Sequence, residues 1–260
     1  MQSKSKQNNH IQVPKSILES FSFIENIKND RGFYEKHNMI YQMGMDGVIV
    51  KKDIKDCDAQ IGVYSDYKEQ QLASIETAFG DIKKKIIDSE KANSELRLTE
   101  EEIFLIRLFF MTSLSRSQEY VKQIKDGVIL LQFISGLVDE YIMQEIEKET
   151  LFDEFMPCII GNQTDGNFIL PQRCWYSLHV NGYALAVMPI TPKTALAFYK
   201  PDKRNGVAFP NTLKEQIDEM NRYAIYQEFH ANKRAVYAKN KEDLEKYIPF
   251  LKEMSYEISF

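Results

Sequence analysis

Cysteine is scarce in this 260-residue chain, and the three present, Cys57, Cys158 and Cys174, form no CxxC pair. An odd, dispersed set makes no disulfide framework and lacks the spacing of a structural zinc site. The four histidines, His10, His37, His179 and His230, are equally scattered, so no local metal site is expected. Long membrane-type runs are missing as well. GVILLQFISGLV, residues 127–138, is interrupted by Gln132 and falls short of the roughly 18 to 20 residues that a bilayer requires. The opening MQSKSKQNNH has no apolar centre and does not read as a signal peptide. There is no GxxxxGK[ST] or GxGxxG phosphate loop, no GxSxG elbow and no HExxH, which argues against the common nucleotide and zinc hydrolases. These absences predict a soluble protein of a reducing cytoplasm with no membrane partner, and they assign it neither metal nor cofactor.

Charge of one sign does not dominate either. Thirty-three Lys and Arg stand against thirty-eight Asp and Glu, a net charge of −5, and the signs alternate without blocks. That excludes an overall electrostatic footprint for nucleic acid or anionic lipid and leaves only a local basic groove. Apolar residues make up 43% of the chain, enough for a sizeable core, and no repeat or low-complexity linker divides it.

The strongest helical pattern is LTEEEIFLIRLFFMTSLSRSQEYVKQI, residues 98–124. Thr99 and Glu102 form a capping box, in which each side chain accepts from the other's backbone N–H and so fixes the helix start. Ile103, Phe104, Ile106, Leu108, Phe109, Phe110, Met111 and Leu114 cover more than one face, so this helix is expected to be surrounded. Arg107 and Arg116 on it must then meet a carboxylate, a carbonyl or a ligand. Leu72, Ile75, Phe79, Ile82 and Ile86 predict an amphipathic helix packed against it, and a further helix follows the break at Asp126-Gly127.

Around these helices the period changes. Asp46-Gly47 between apolar runs predicts a hairpin over 39–52 with both turn residues at positive φ. Thr164-Asp165-Gly166 and Asn181-Gly182 separate short β-rich runs that read as consecutive antiparallel strands, and TALAFYK continues them between prolines. A helix capped at Asn211 or Thr212 reaches about Ala231, AVYA (235–238) is a last strand, and Asn240 caps a terminal helix. The expected fold is α+β: a central helical core with an N-terminal β-hairpin and a small antiparallel C-terminal sheet. Residues 1–9 read as a disordered tail and 10–260 as one domain.

Three local patterns touch chemistry without carrying it. Arg31 and His37 have the separation found in HEPN-type ribonucleases, but Gly32 and the neighbouring aromatics favour a solvent-exposed turn. Asp53-Ile54-Lys55 and Asp66-Tyr67-Lys68 echo the carboxylate and lysine of restriction-type nucleases, at a frequency chance supplies. Cys174 and His179 read as lying on one strand, an odd number apart, which would turn them to opposite sides.

Taken in order, several segments resemble the domain of unknown function 4238 (DUF4238) family. HIQVPKSILESF resembles its opening, with His10, Val13, Pro14, Leu18 and Phe21 in place. IYQMGMDGVIV resembles its first hairpin, and SIETAFGDIKKKI, with Glu76, its following helix. FFMTSLSRSQEY contains the arginine that ends the family's core segment, here Arg116. GNQTDGNFI, MPITPKTALAF, Asn221 and ANKRAVYA, with Arg234 and Tyr237, resemble the second half. One departure is that Gln172 stands where the family has an aspartate. The resemblance implies an antiphage defence effector or toxin-like protein acting on nucleic acid or on a phage component, with a nuclease or other phosphate-ligand enzyme as its catalytic form. In it His10, Arg116 and Arg234 would converge on an anionic group, because guanidinium forks bind phosphate bidentately, with Asn162, Thr164, Gln172 and Asn221 as ligand contacts. The arginines could equally pair with Glu76 or with aspartates inside the domain. The competing reading is a non-catalytic binding or protein-interaction module, which the replaced aspartate favours; a homo-oligomer is compatible with either.

Overall fold

In the second half of the chain the apolar pattern stops alternating and becomes continuous, as in ALAVMPI and TALAF. A strand with that pattern has to be covered on both faces. In the computed structural model these runs are β9 (Tyr183–Thr191) and β10 (Thr194–Tyr199), joined by a tight turn at Pro192-Lys193. They form the middle of an antiparallel sheet of order β6-β10-β9-β8, with β6 (Met156–Gly161) and β8 (Tyr176–Val180) at its edges. Pro189 lies inside β9 opposite Ala195, where the register shifts, so the missing N–H falls at an irregularity of the ladder. The structure describes residues 8–10, 13–57, 59–61, 66–92, 96–115, 156–180, 183–199, 214–232 and 234–257.

Helices cover both faces of this sheet. Met188, Ile190, Leu196 and Phe198 share a buried cluster with residues of α1 (Lys15–Ser20), α2 (Asp66–Lys91) and α3 (Glu100–Ser115). Leu185, Val187, Ala195 and Ala197 share another with α4 (Lys214–Asn232), α5 (Glu242–Glu245) and α6 (Ile248–Glu257). The protein is therefore an α+β fold with an N-terminal hairpin and a C-terminal antiparallel sheet, as expected. What sits at the centre differs: the sheet is the middle layer, and α3 is one of the helices that cover it.

The capping box is formed as read. The N–H of Thr99 donates to Glu102 Oε2 at 2.8 Å and the N–H of Glu102 donates to Thr99 Oγ1 at 3.1 Å. Consecutive phenylalanines of α3 then point two ways. Phe109 stacks on Phe79 of α2 and Phe110 on Phe198 of β10, each with ring centroids 3.8 Å apart. Lys83 ties α2 to α1 by donating to the Ser16 carbonyl at 2.6 Å and to Ser20 Oγ at 2.8 Å; burial pushes its amine below the usual lysine range. No described helix is long and apolar enough to cross a membrane.

A second sheet joins the two halves of the chain. It runs β2 (Phe23–Lys28), β3 (Tyr34–Met43), β11 (Val236–Ala238), β7 (Leu170–Pro171), with β4 (Ile49–Asp53) also paired to β3. β1 (Asn8–His10) pairs with β5 (Ala59–Ile61), so a strand begins inside the segment read as a tail. The span 31–37, read as an exposed turn, belongs to a second hairpin: Arg31 and Gly32 (φ 86°) make the turn, and His37 lies on β3.

The 39–52 ribbon is present, but among its turn residues only Gly47 has positive φ. Gly47 donates to the Gly44 carbonyl and Val48 to Asp46 Oδ1, which makes a longer loop than the two-residue turn expected. Residues 162–170 form no hairpin, because β6 pairs with β10 while β7 enters the other sheet. Asn240 donates to Asp243 at 3.0 Å, and Lys241 is the cap residue of α5. The end of the long helix pattern, the helix after Gly127 and the cap at Asn211 or Thr212 lie outside the described residues.

Because Phe109 is 1% exposed and fills the contact between α2 and α3, Phe109→Ala is expected to cost about 3–5 kcal/mol. Phe33→Ala, at a side chain 70% exposed, is expected to change stability by less than about 0.5 kcal/mol. Urea midpoints of the two variants measure this directly, and equal losses would contradict the packing described.

Candidate functional site

The residues expected to bind a ligand are largely committed to the chain itself. Asn162 is buried; its amide donates to the Gly166 carbonyl at 2.8 Å, and its Oδ1 accepts from the N–H and Oγ1 of Thr164 at 2.9 and 2.7 Å. Together they close the turn after β6, which Lys193 buttresses by donating to the carbonyls of Thr164 and Gly166. Asn221 on α4 is fully buried. It accepts from the Ile169 N–H and donates to the Asn167 carbonyl and to the Tyr247 hydroxyl. A buried amide used in this way holds a loop. Gln172 donates its N–H to the Ala235 carbonyl at 3.0 Å and accepts the Ala235 N–H on Oε1 at 2.9 Å.

These last two bonds bring Gln172 beside Arg234. The Arg234 N–H donates to the Glu228 carbonyl at 3.1 Å, and its Nη1 is buried with no hydrogen-bond partner among the described residues. His10 sits on β1 with its backbone paired to Ala59. Arg116 lies outside the described residues. Arg107, the other arginine expected to need a partner, is half-buried on α3 and is engaged.

Beside Gln172 lies a charged pair that the sequence did not announce. Arg173 Nε is 3.1 Å from Glu228 Oε1, with the two side chains 7% and 0% exposed. Arg173 also donates to the Trp175 carbonyl at 2.8 Å and to Gln227 Oε1, and its guanidinium lies over the Trp175 ring, 4.6 Å from the centroid. Gln227 in turn accepts the Ser177 N–H and donates to the Ser177 carbonyl. Between them, Cys174 is the one non-glycine residue with positive φ, 72°, among the described residues; it sits in a turn before β8 rather than on the strand, and its thiol is buried. The opposed charges make this a clamp of the 171–177 turn onto α4. A signal for it existed: Glu228 lies three after Ile225 and next to Phe229, on the apolar face of its helix.

The β2-β3-β4 sheet holds a different arrangement. Paired residues of antiparallel strands share a face, so Glu25, Glu35, His37, Lys51 and Asp53 point one way. There the charges pair: Lys51 with Glu25 at 2.7 Å, His37 Nδ1 with Asp53 Oδ2 at 2.6 Å, and Lys55, just beyond β4, with Asp53 at 3.3 Å. Burial opposes ionisation of Asp53, but hydrogen bonds from His37 and Lys55 outweigh it and hold the carboxyl below its ordinary value of 3.8.

The opposite face carries Ile24, Asn26 and Lys28 on β2, Tyr34, Lys36, Asn38, Ile40 and Gln42 on β3, and Val50 and Lys52 on β4. It has three lysines and no acidic residue. Ile40 is buried against α1, whereas Ile24 and Tyr34 are 67% and 72% exposed, so the outer half of this ribbon projects from the core. None of the three lysines is in an ion pair among the described residues. The expectation that charge would be evenly mixed holds for the chain but fails for this surface.

Two measurements check this electrostatic description. Removing one member of the buried pair, as in Glu228→Ala, is expected to destabilise by about 3–5 kcal/mol. The joint change Arg173→Met with Glu228→Leu is expected to cost less than the sum of the single changes, and strict additivity in urea unfolding would contradict the clamp. For Asp53, a lowered folded-state pKa means that its ionised carboxylate stabilises the fold above about pH 4, and that this contribution fades as pH falls through the folded value. The stability gap between the parent and Asp53→Asn is therefore expected at pH 7 and should close in acid; a gap independent of pH would contradict the assignment.

The chain matches no family model, and no curated protein or solved structure shows significant similarity to it.

Proposed function

We propose that the protein binds nucleic acid through the lysine face of the β2-β3-β4 sheet, and that it does so in the cytoplasm as an antiphage defence or toxin-like effector of the kind that the DUF4238 resemblance implies. The observation that supports the binding reading is the sorting of charge across one thin ribbon. Lys51 and Lys55 are neutralised on one side, while Lys28, Lys36 and Lys52 on the other have no carboxylate on their face. The chain has a surplus of acidic residues, 38 against 33, yet none has been placed there. Unpaired ammonium groups in a row attract phosphates and release their condensed counterions, which gives affinity without requiring a net positive protein.

A second reading, a non-catalytic binding module, is favoured by the inward-turned hydrogen bonds of Asn162, Thr164, Gln172 and Asn221. It is compatible with the first, since binding through the ribbon needs no reacting group.

Lys28→Glu combined with Lys36→Glu is expected to weaken nucleic-acid binding at least tenfold at low salt. It should also reduce the dependence of log affinity on log salt by about 1.4 to 1.8, because each lost phosphate contact removes roughly 0.7 to 0.9. Unchanged affinity and slope would remove the ribbon from consideration. In cells expressing the protein at equal abundance, phage plating is expected to be reduced by the parent and restored by the double variant; no protection across a diverse panel would sink the defence reading while leaving the binding result intact.

A further inference from the structure

We infer that the nucleic acid carried by this ribbon is single-stranded. The inference rests on the binding reading above and adds to it the class of ligand. Three observations lead to it.

The first is aromatic. Tyr34 is 72% and Phe33 70% exposed at the free end of the hairpin, and neither ring is stacked on another among the described residues. An aromatic ring held in water on a rigid strand is a stacking platform for a base, but only for a base whose face is free. In a duplex those faces are covered by the neighbouring pairs.

The second is register. Tyr34 is directly opposite Lys28 and two residues from Lys36, all on one face. Two residues of strand span about 7 Å and neighbouring strands lie about 5 Å apart, so a base on Tyr34 has both ammonium groups within reach of its flanking phosphates. Asn26, opposite Lys36, and Asn38, opposite Ile24, place amides on the same surface beside this position.

The third is breadth. The lysine row runs diagonally from Lys28 on β2 through Lys36 on β3 to Lys52 on β4, opposite Ile40. It advances about 20 Å along the strands and two strand spacings, about 10 Å, across them. β2 pairs with residues 34–39 of β3 and β4 with residues 39–43, where β11 flanks the other side of β3. The two-stranded outer half fits the roughly 12 Å major groove but the three-stranded inner half does not, so a duplex could not follow the row from Lys28 to Lys52. A flexible single strand can follow the diagonal. DNA and RNA strands offer the same phosphates and base faces to these groups.

The test uses the full chain and fluorescence anisotropy at low salt with three labelled probes: twelve-nucleotide oligo(dT), oligo(rU) and a twelve-pair DNA duplex. Expected is at least tenfold tighter binding of one or both single strands than of the duplex. Tyr34→Ala should weaken single-strand binding roughly 5- to 150-fold, as loss of one stacked base does, with little effect on the duplex, and Tyr34→Phe should retain it. Phe33→Ala serves as a second variant at an equally exposed position, and matching urea midpoints establish that all variants are folded. Duplex binding as tight as single-strand binding, or indifference to both Tyr34→Ala and Phe33→Ala while Lys28→Glu with Lys36→Glu still abolishes binding, overturns the single-strand inference and leaves the binding reading standing. Failure of all three probes to bind overturns both.

Discussion

The constraint on which the structure depends is that β9 and β10 are apolar on both sides. Thr194 through Phe198 are all buried, as are Val187 through Ile190, so neither face of the sheet tolerates water. One layer of helices would leave half of that surface exposed, at roughly 25 cal/mol for each Å². The chain therefore supplies α1, α2 and α3 to one face and α4, α5 and α6 to the other. This explains a feature of α3 that an amphipathic helix would not have: Phe109 and Phe110 are adjacent, hence about 100° apart, and each finds a stacked aromatic partner, one on a helix and one on the sheet. A helix filling the corner between another helix and a sheet needs two apolar faces.

A fold assembled from both ends of the chain also needs its crossing points fixed. β11, three residues from the C-terminal part, lies between β3 from the N-terminal part and β7 from the middle. Hydrogen bonds of so short a strand are few, and the side chains on either side of it supply the rest. Gln172 grips Ala235 on both its N–H and its carbonyl; Arg173 and Glu228 lock the following turn to α4; Asn221 holds Ile169 and Asn167 and reaches Tyr247. The left-handed backbone at Cys174 lies in the middle of this arrangement. Such a conformation costs of order 1 kcal/mol or more for a residue with a Cβ, and the surrounding bonds over-determine it.

Much of the local structure was legible because it is written in short-range chemistry. Thr99 and Glu102 announce a helix start whatever surrounds them, and Leu72 to Ile86 announce a buried stripe. The layer order was less so: ALAVMPI reads equally as a strand closing one side and as a strand covered on both, and only the position of α4 to α6 decides between them. The hairpin at 23–43 was hidden because its outer half buries nothing; Ile24 and Tyr34 project into solvent, so no alternation of burial marks it. The expected ligand amides carry a related ambiguity. A buried Asn that holds a loop and one that holds a ligand have the same composition and neighbours, and only the partners at 2.7 to 3.0 Å distinguish Asn162 and Asn221 as the former.

The ribbon's charge pattern follows from the same period of two that sorts apolar residues elsewhere. Along β3 the order Tyr34, Glu35, Lys36, His37, Asn38 looks mixed in sequence, and along β2 so does Glu25, Asn26, Ile27, Lys28. Folding separates them: Glu25, Glu35 and His37 turn to one side with Lys51 and Asp53, and Lys28, Tyr34, Lys36 and Asn38 to the other with Lys52. A whole-chain charge count is blind to this, because the two faces cancel. The separation also carries an energetic implication. The carboxylates of the other side are engaged locally, Glu25 by Lys51, Asp53 by His37 and Lys55, and Glu35 by the Asn29 amide. The lysine side, with no such partners among the described residues, keeps its ammonium groups available to an external anion. The aromatic rings at the same end of the ribbon then bias which anion binds, because a flat ring and a row of ammonium groups together match a chain that alternates bases with phosphates.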